Sequence, residues 1–366
     1  MPTETPTAVP AQPQLPDAGG WSAAVLSLPR LRIQNANALS SPMTWGFPAI
    51  HAFTGLAVAL ERRLGPAAGL RILGMGVICH DFEPQVSRAG YTRSLHLTRN
   101  PLTKEGATAS IVEEGRVHLT LTLVLDVEVS DALRADAPAL DALALQVADL
   151  LARTRVAGGS VLPPRGMGHP RPRLTVLPDD AEARSKLFRQ LARRWLPGFA
   201  LVSRDDLLRD EQQKLQAEQP QANALDAWLS LSRWTYTAQP RPASDPSEAT
   251  PAVAATAVWQ TQARPGWLVP MPVGYAAVSA LYPPGTVASA RDTATPFCFV
   301  ESVYSIGQWI SPHRLRRFED LFWYAHYDPE RQLYRCKNGF QAEVPDTASD
   351  SIFAPANTDS FTPSLT

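Results

Sequence analysis

A chain of 366 residues with 45% hydrophobic content is long enough for a large core and for one main domain plus a second module. Thirty-four prolines argue against a helix-dominated fold, and three widely spaced cysteines with no CxxC pair argue against a disulfide framework or a thiolate zinc site. The net charge of −1 hides two basic blocks: residues 30–104 carry nine Lys/Arg against three Asp/Glu, and residues 153–204 carry eleven against three. Such a distribution suits a polyanion bound along one path, although a solvated helix face accounts for much of Arg184 to Arg194.

Residues 1–23 are rich in Pro, Thr and Ala and are expected to be disordered. The N-terminus has Pro and Thr where a signal peptide needs an apolar run, and no segment has the length and apolarity of a membrane span. With the cysteine usage, this leads to the expectation of a cytoplasmic protein with no membrane contact. Val25 to Gln34 predicts a strand, with Leu31 and Ile33 on one face and Arg30, Arg32 and Gln34 on the other. A dense group of amides and hydroxyls follows: Asn35, Asn37, Ser40, Ser41 and Thr44, closed by Trp45-Gly46-Phe47. Amides and hydroxyls read base edges and 2′-hydroxyls without a fixed charge, and a Trp face stacks on an unstacked base. The same residues also build ordinary strand-to-helix turns. For the group as a whole, the expectation is binding.

Ala49 to Leu64 predicts a helix with an apolar stripe at Ile50, Phe53, Ala57, Leu60 and Leu64, ended by Gly65-Pro66. Leu70 to Phe82 predicts a second strand. The insertion Glu83 to Arg116 alternates, is polar and basic, and carries Gly at its turns, which predicts a projecting hairpin. Val117 to Leu125 alternates strictly and predicts the third strand, Ala132 to Arg155 a second helix, and Leu174 to Leu177 a fourth strand. Between the last two, Gly158, Gly159 and Ser160 serve either as a helix C-cap or as a loop admitting phosphate close to backbone N–H groups. The order strand, helix, strand, strand, helix, strand predicts an α+β fold: a ferredoxin-like or RRM-like body on an antiparallel sheet, with helices on one face.

Further on, Ala181 to Trp195, Asp205 to Gln216, Ala222 to Tyr236 and the aromatic stretch Phe318 to Tyr327 predict helices. Ala238 to Ala257 is low-complexity and predicts a flexible loop. The expected organisation is a disordered extension (1–23), the body with its thumb insertion (24–204, insertion 83–116) and a helical segment (205–237). The loop (238–257), an irregular, aromatic-rich α/β extension (258–345) and a disordered tail (346–366) complete it.

Catalytic machinery is hard to assemble. Cys79 and His80 are neighbours on a strand and point to opposite faces, so they cannot act as nucleophile and base together. There is no HExxH, P-loop or GxSxG. His96, Arg93, Arg99 and Asn100 sit in the insertion, where Arg93 and Arg99 suit phosphates, but His96 has no obvious second acid or base.

The segments LPRLRIQNANALSSPMTWGFPAIHAFTG, HLTRNPL with IVEEGRVHL, AGGSVLP, LPGFALVSRDDLL, RPGWLVPMPVGYAAVSALYPPG and SPHRL occur in this order. Together they resemble the second Csy subunits of type I-F CRISPR surveillance complexes, a divergent branch of the Cas-five group of repeat-associated RNA-binding proteins. The resemblance runs from about Leu28 to about Tyr334. It implies a non-catalytic subunit that needs no cofactor or metal. It implies an RRM-like body with a thumb at Glu83 to Arg116, bound to the 5′ handle of the CRISPR RNA. It further implies contacts with the large Csy subunit at the tail of the complex and with the adjacent backbone subunit, and with target DNA indirectly through the complex. On that reading Asn35, Asn37, Ser40, Ser41, Thr44, Trp45, Arg93, His96, Arg99, Asn100, Gly158, Gly159 and Ser160 form the RNA-binding set. The alternative from a different class is a metal-independent repeat endoribonuclease using His96 or His80.

Overall fold

The computed structural model describes residues 20–90, 92–99, 102–103, 105–164, 168–240, 257–261, 264–290 and 292–342. The chain begins with β1 (Trp21–Asn37), a small ladder of β2 (Leu39–Ser41) with β3 (Thr44–Trp45), α1 (Ile50–Leu64), β4 (Leu70–Pro84), β5 (Val86–Ala89), β6 (Thr92–Leu95), β7 (Leu97–Arg99), β8 (Ile111–Glu113) and β9 (Arg116–Ser130). There follow α2 (Asp131–Arg134), α3 (Ala137–Ala152), β10 (Arg155–Val156), β11 (Gly159–Leu162), β12 (Arg173–Val176), α4 (Ala181–Arg194) and β13 (Phe199–Ser203). The rest comprises α5 (Asp205–Glu218), α6 (Ala224–Ser232), β14 (Tyr236–Pro240), β15 (Ala257–Thr261), β16 (Trp267–Ala277), β17 (Val300–Ile310), β18 (Trp323–Asp328) and β19 (Leu333–Asn338).

The fold is α+β on one large antiparallel sheet. Its first part has the spatial order β12-β1-β9-β4. The alternation of β9 decides its orientation: Val117, Leu119, Leu121, Leu123 and Leu125 are all buried, on the face that carries α1 and α3. The α1 stripe, Ile50, Phe53, Leu56, Ala57 and Leu60, packs there, as do Leu143, Ala144, Val147 and Leu151 of α3. Asp136 caps α3 by accepting from the Ala139 N–H at 3.0 Å.

The opposite face is not open throughout, contrary to the expectation of helices on one side. Helix α4 lays Phe188, Leu191 and Ala192, with Trp195, over Val25, Ile78 and Val124. Its apolar stripe demands such cover, because burying it against the sheet is worth about 1.5–3 kcal/mol per large side chain.

Beyond β4 the sheet continues through β13, β17, β16, β19 and β18, and β18 pairs back to β4 at Trp323↔Met75. Six strands thus close into a ring. Helices α5 and α6 pack on it, with the Trp228 indole N–H donating to the Ser305 carbonyl at 3.0 Å.

Several expected elements differ. Strand β1 begins at Trp21, inside the segment expected to be disordered, and the Arg71 guanidinium lies 3.8 Å from the centroid of its ring. The helix expected over Ala132 to Arg155 breaks at Asp136 and resumes with Pro138 in its first turn, and Arg155 already belongs to β10. The Ala222 to Tyr236 helix stops at Ser232, since Tyr236 opens a ladder with β15. That ladder takes in the ends of the expected flexible loop, whose residues 241–256 lie outside the described residues, as do 1–19 and 343–366. Phe318 to Tyr327 is a single 3-10 turn, Phe318–Asp320, followed by β18. Its aromatics follow the strand's ladder with β19 rather than a helical stripe. Among the described residues no helix is long and apolar enough to cross a membrane.

One half-buried acid couples this architecture to pH. Asp126 of β9 accepts from the Tyr324 hydroxyl at 2.9 Å, and burial pushes its pKa from 3.8 up to about 6. The folded state therefore holds this proton where the unfolded chain has lost it. Stability falls as pH rises from about 4 to about 6 and is then level, because the native state binds more protons across that window. Asp126→Asn should raise stability by on the order of 1–2 kcal/mol at about pH 8 and by little at about pH 4. Denaturant melts of both proteins at the two pH values measure this. An equal effect at both would rule out titration as its cause.

Candidate nucleic-acid interface

Segments far apart in sequence meet at the end of the sheet where β1 stops. The Asn37 N–H donates to the Ala157 carbonyl at 2.8 Å, and the Ala38 N–H donates to the Gly115 carbonyl at 2.9 Å. The first bond ties the amide-rich turn to the β10–β11 hairpin, and the second ties it to the root of the insertion. Ala157 (φ 47°) and Gly158 (φ 82°) form the two-residue turn of that hairpin, so the glycines serve a strand turn and not a helix cap. Gly159 lies so close to the β1 bulge that a Cβ would sit 2.8 Å from the Gln34 carbonyl and the Ala36 nitrogen. Only glycine lets this hairpin close on β1.

Much of the polar group in the turn is engaged internally. Asn37 donates to the Leu39 carbonyl at 2.9 Å and accepts from the Leu39 N–H at 3.1 Å. Ser40 and Ser41 hydroxyls lie 2.7 and 2.6 Å from that of Thr44, which is buried. These residues shape the turn. Asn35 is different. It occupies the left-handed region (φ 57°) at the β1 bulge, its N–H donates to His118 Nδ1 at 3.1 Å, and its side chain is exposed.

The surface beside that bulge is not marked by any local cluster in the sequence. On the α4 side of β1 and β9, the residues past the end of the helix are Arg32, Gln34, Thr120 and His118. Arg32 pairs with Thr120 on one side and Leu162 on the other, and Gln34 pairs with Ser160. Both strands are central, so a polar row on one face means that no layer covers it there. Asp81, opposite Thr120, and Glu83, opposite His118, border this strip on β4. The signal was present as the polar half of two alternating strands. From Arg30 the strip runs into a groove of about 490 Å³, where Arg30, Arg171, Arg173 and Arg194 face one carboxylate, Asp141.

The insertion is two consecutive small ladders rather than one long hairpin: β5 with β6, and β7 with β8. Arg88 and Arg93 are cross-strand neighbours, both exposed, and no carboxylate among the described residues pairs with either. Like charges directly opposite one another disfavour the ladder and favour an anion between them. At the root, Glu114 accepts from the Thr98 hydroxyl and from Arg116 Nη2, both at 2.7 Å. Those bonds hold its pKa down. His96 is exposed on the link between ladders, Arg99 lies in β7, and Asn100 lies outside the described residues.

His80 has both ring nitrogens in fold contacts. Nδ1–H donates to the Pro197 carbonyl at 2.6 Å, and Nε2 accepts from the Thr122 hydroxyl at 2.7 Å. Burial lowers its pKa, and burial pushes the Cys79 thiol up to about 12. Neutral His80 and protonated Cys79 act as packing groups here. Among the described residues no group of three or more His, Cys, Asp or Glu could hold a metal ion.

Trp45, 41% exposed, stands apart from the hydroxyls around it and lines an aromatic cleft of about 370 Å³ with Phe199, Trp267 and Trp309.

Comparison with known proteins bears on the whole of this surface. The family model described as CRISPR-associated protein (Cas_Csy2) matches residues 26–336. A curated relative, CRISPR-associated protein Csy2 of Pseudomonas aeruginosa (strain UCBPP-PA14), is 49% identical over 316 residues, covering 85% of this chain and 94% of its own length.

Proposed function

The chain belongs to the Csy2 family of CRISPR-associated proteins, and from that premise we propose that it is a non-catalytic, RNA-binding subunit of a type I-F CRISPR surveillance complex. On this reading it holds the 5′ handle of the CRISPR RNA, pairs with the large Csy subunit, abuts a backbone subunit and meets target DNA through the assembly in the cytoplasm.

The observation that carries the proposal is the convergence at one sheet end of the β1 bulge, the root of the insertion, the β10–β11 hairpin and an uncovered polar strip. The order β12-β1-β9-β4, with helices α1 and α3 on one face, supports the ferredoxin-like, RRM-like reading of the body. Because α4 covers the middle of the other face, RNA contacts are assigned to the strip that α4 leaves open and to the insertion above it. Arg32, Arg88 and Arg93 would take phosphates, and Asn35, Gln34 and Ser160 would take sugar or base edges.

The geometry gives the endoribonuclease reading little support, since His80 is committed to the fold and Glu114, the acid across the ladder from His96, is taken up by Thr98 and Arg116. The test is co-purification of the full chain with its complex partners, sequencing of the bound RNA, and incubation of the isolated chain with repeat RNA. The expected results are a bound RNA with a common 5′ end and intact repeat RNA, with or without chelator. Cleavage lost in His96→Ala or His80→Ala would replace this reading with the nuclease.

A further inference from the structure

The aromatic cleft has chemistry unlike the basic surface around the strip. Trp267 is 60% exposed, Phe199 and Phe82 line the cleft beside it, and Phe199 meets Trp267 edge to face at 5.7 Å. Trp309 tilts against Trp267 at 6.4 Å, so the set forms a continuous aromatic wall. Among the described residues no Lys or Arg lines this cleft, whereas Asp81 does. Asp81 Oδ1 accepts from the Phe82 N–H at 3.0 Å, which leaves Oδ2 without a partner among the described residues.

Two occupants would suit flat aromatic walls: an RNA base or a side chain of a protein. The charge decides between them. A nucleotide inserted here would bring its phosphates toward Asp81, with no Lys or Arg among the described lining residues to offset them. A guanidinium suits both features, since it stacks on an indole face and pairs with a carboxylate through its planar fork. Lysine offers only a point charge to the same site.

We propose that this cleft is a docking pocket for an arginine side chain presented by a partner protein, seated against Trp267 and Trp45 and paired with Asp81. The pocket adjoins the polar strip at Asp81, while its aromatic walls, Phe199, Trp267 and Trp309, lie outside the strip.

The experiment titrates the full chain with three probes: the blocked tripeptide Gly-Arg-Gly, the blocked tripeptide Gly-Leu-Gly, and oligoadenylate. Tryptophan fluorescence and indole NMR signals report occupancy. The expected result is saturable binding of the arginine peptide, with Asp81→Asn weakening it by about fivefold or more. Trp267→Leu should weaken it independently, and the leucine peptide should bind more weakly than the arginine peptide. Asp81 is exposed, so Asp81→Asn should fold, and circular dichroism checks this. Failure of the arginine peptide to saturate, or unchanged affinity in Asp81→Asn, overturns the proposal. So does equal binding of the leucine peptide. Oligoadenylate perturbing the same indoles, and binding more tightly to Asp81→Asn, would make the cleft a nucleobase site instead.

Discussion

Trp323→Ala is expected to lower the free energy of unfolding by about 3–5 kcal/mol, the largest single loss anticipated in this chain. Trp323 is 0% exposed and is the bulkiest of the fully buried side chains. It sits where β18 meets β4, paired with Met75 across the closing contact of the strand ring. Its indole N–H donates to the Leu201 carbonyl of β13 at 2.8 Å. Alanine would leave a cavity, strand that carbonyl and loosen the closure in one step. Trp323→Phe separates the contributions. It keeps most of the volume but not the donor, and should cost roughly 1–3 kcal/mol, the range for one unsatisfied buried polar group. Denaturant unfolding of the three proteins gives both numbers. A cost below about 1 kcal/mol for the alanine variant would mean that the ring closure contributes little to the native fold.

Reversal of Arg88 and Arg93 together should act on RNA and not on the fold. Both are exposed, face each other across the β5–β6 ladder, and lie outside both main cores. Two acids repel across the ladder about as two arginines do, so the local charge balance is similar in size and opposite in sign. Melting should therefore shift little. RNA affinity should fall by roughly tenfold or more, and the log–log salt slope should lose about 0.7 for each phosphate contact removed from a single strand. Binding to handle RNA measured over a range of salt reads affinity and slope together. An unchanged slope would remove the insertion from the RNA path, whatever happened to affinity at one salt concentration.

The body was readable because its periodicities were strong. The alternation of Val117 to Leu125 fixed a central strand, and the Ile50, Phe53, Ala57 and Leu60 stripe fixed the helix over it. What local pattern could not supply was the layer above. The stripe on α4 looks the same whether it covers this sheet or another element, and Phe188 over Val25 is a contact between positions far apart in sequence. The same limit hid the 3-10 turn and β18, since an aromatic run of that length is ambiguous between helix and strand until its partner β19 is known. At the site, residue type indicated polarity but not direction. Ser40, Ser41 and Thr44 have the composition of a binding loop and bond to one another instead. Arg32 and Gln34 appeared only as the outer face of a strand, yet with Asn35 they are the polar side chains of β1 that face outward at that end.

The closure of β18 onto β4 also bears on how the sheet can grow. The closure rests on one pair, Trp323↔Met75, and past it the outer edge of β18 has no strand partner among the described residues. The other limit of the large sheet is formed by short strands, two residues in β10 and four in β12. Among the described residues, a neighbour that adds a strand to this sheet therefore has the short-stranded side and the outer stretch of β18 to pair with. Both are short, six residues in β18 and two to four on the other side, and short edges disfavour open-ended strand addition when many copies are made together.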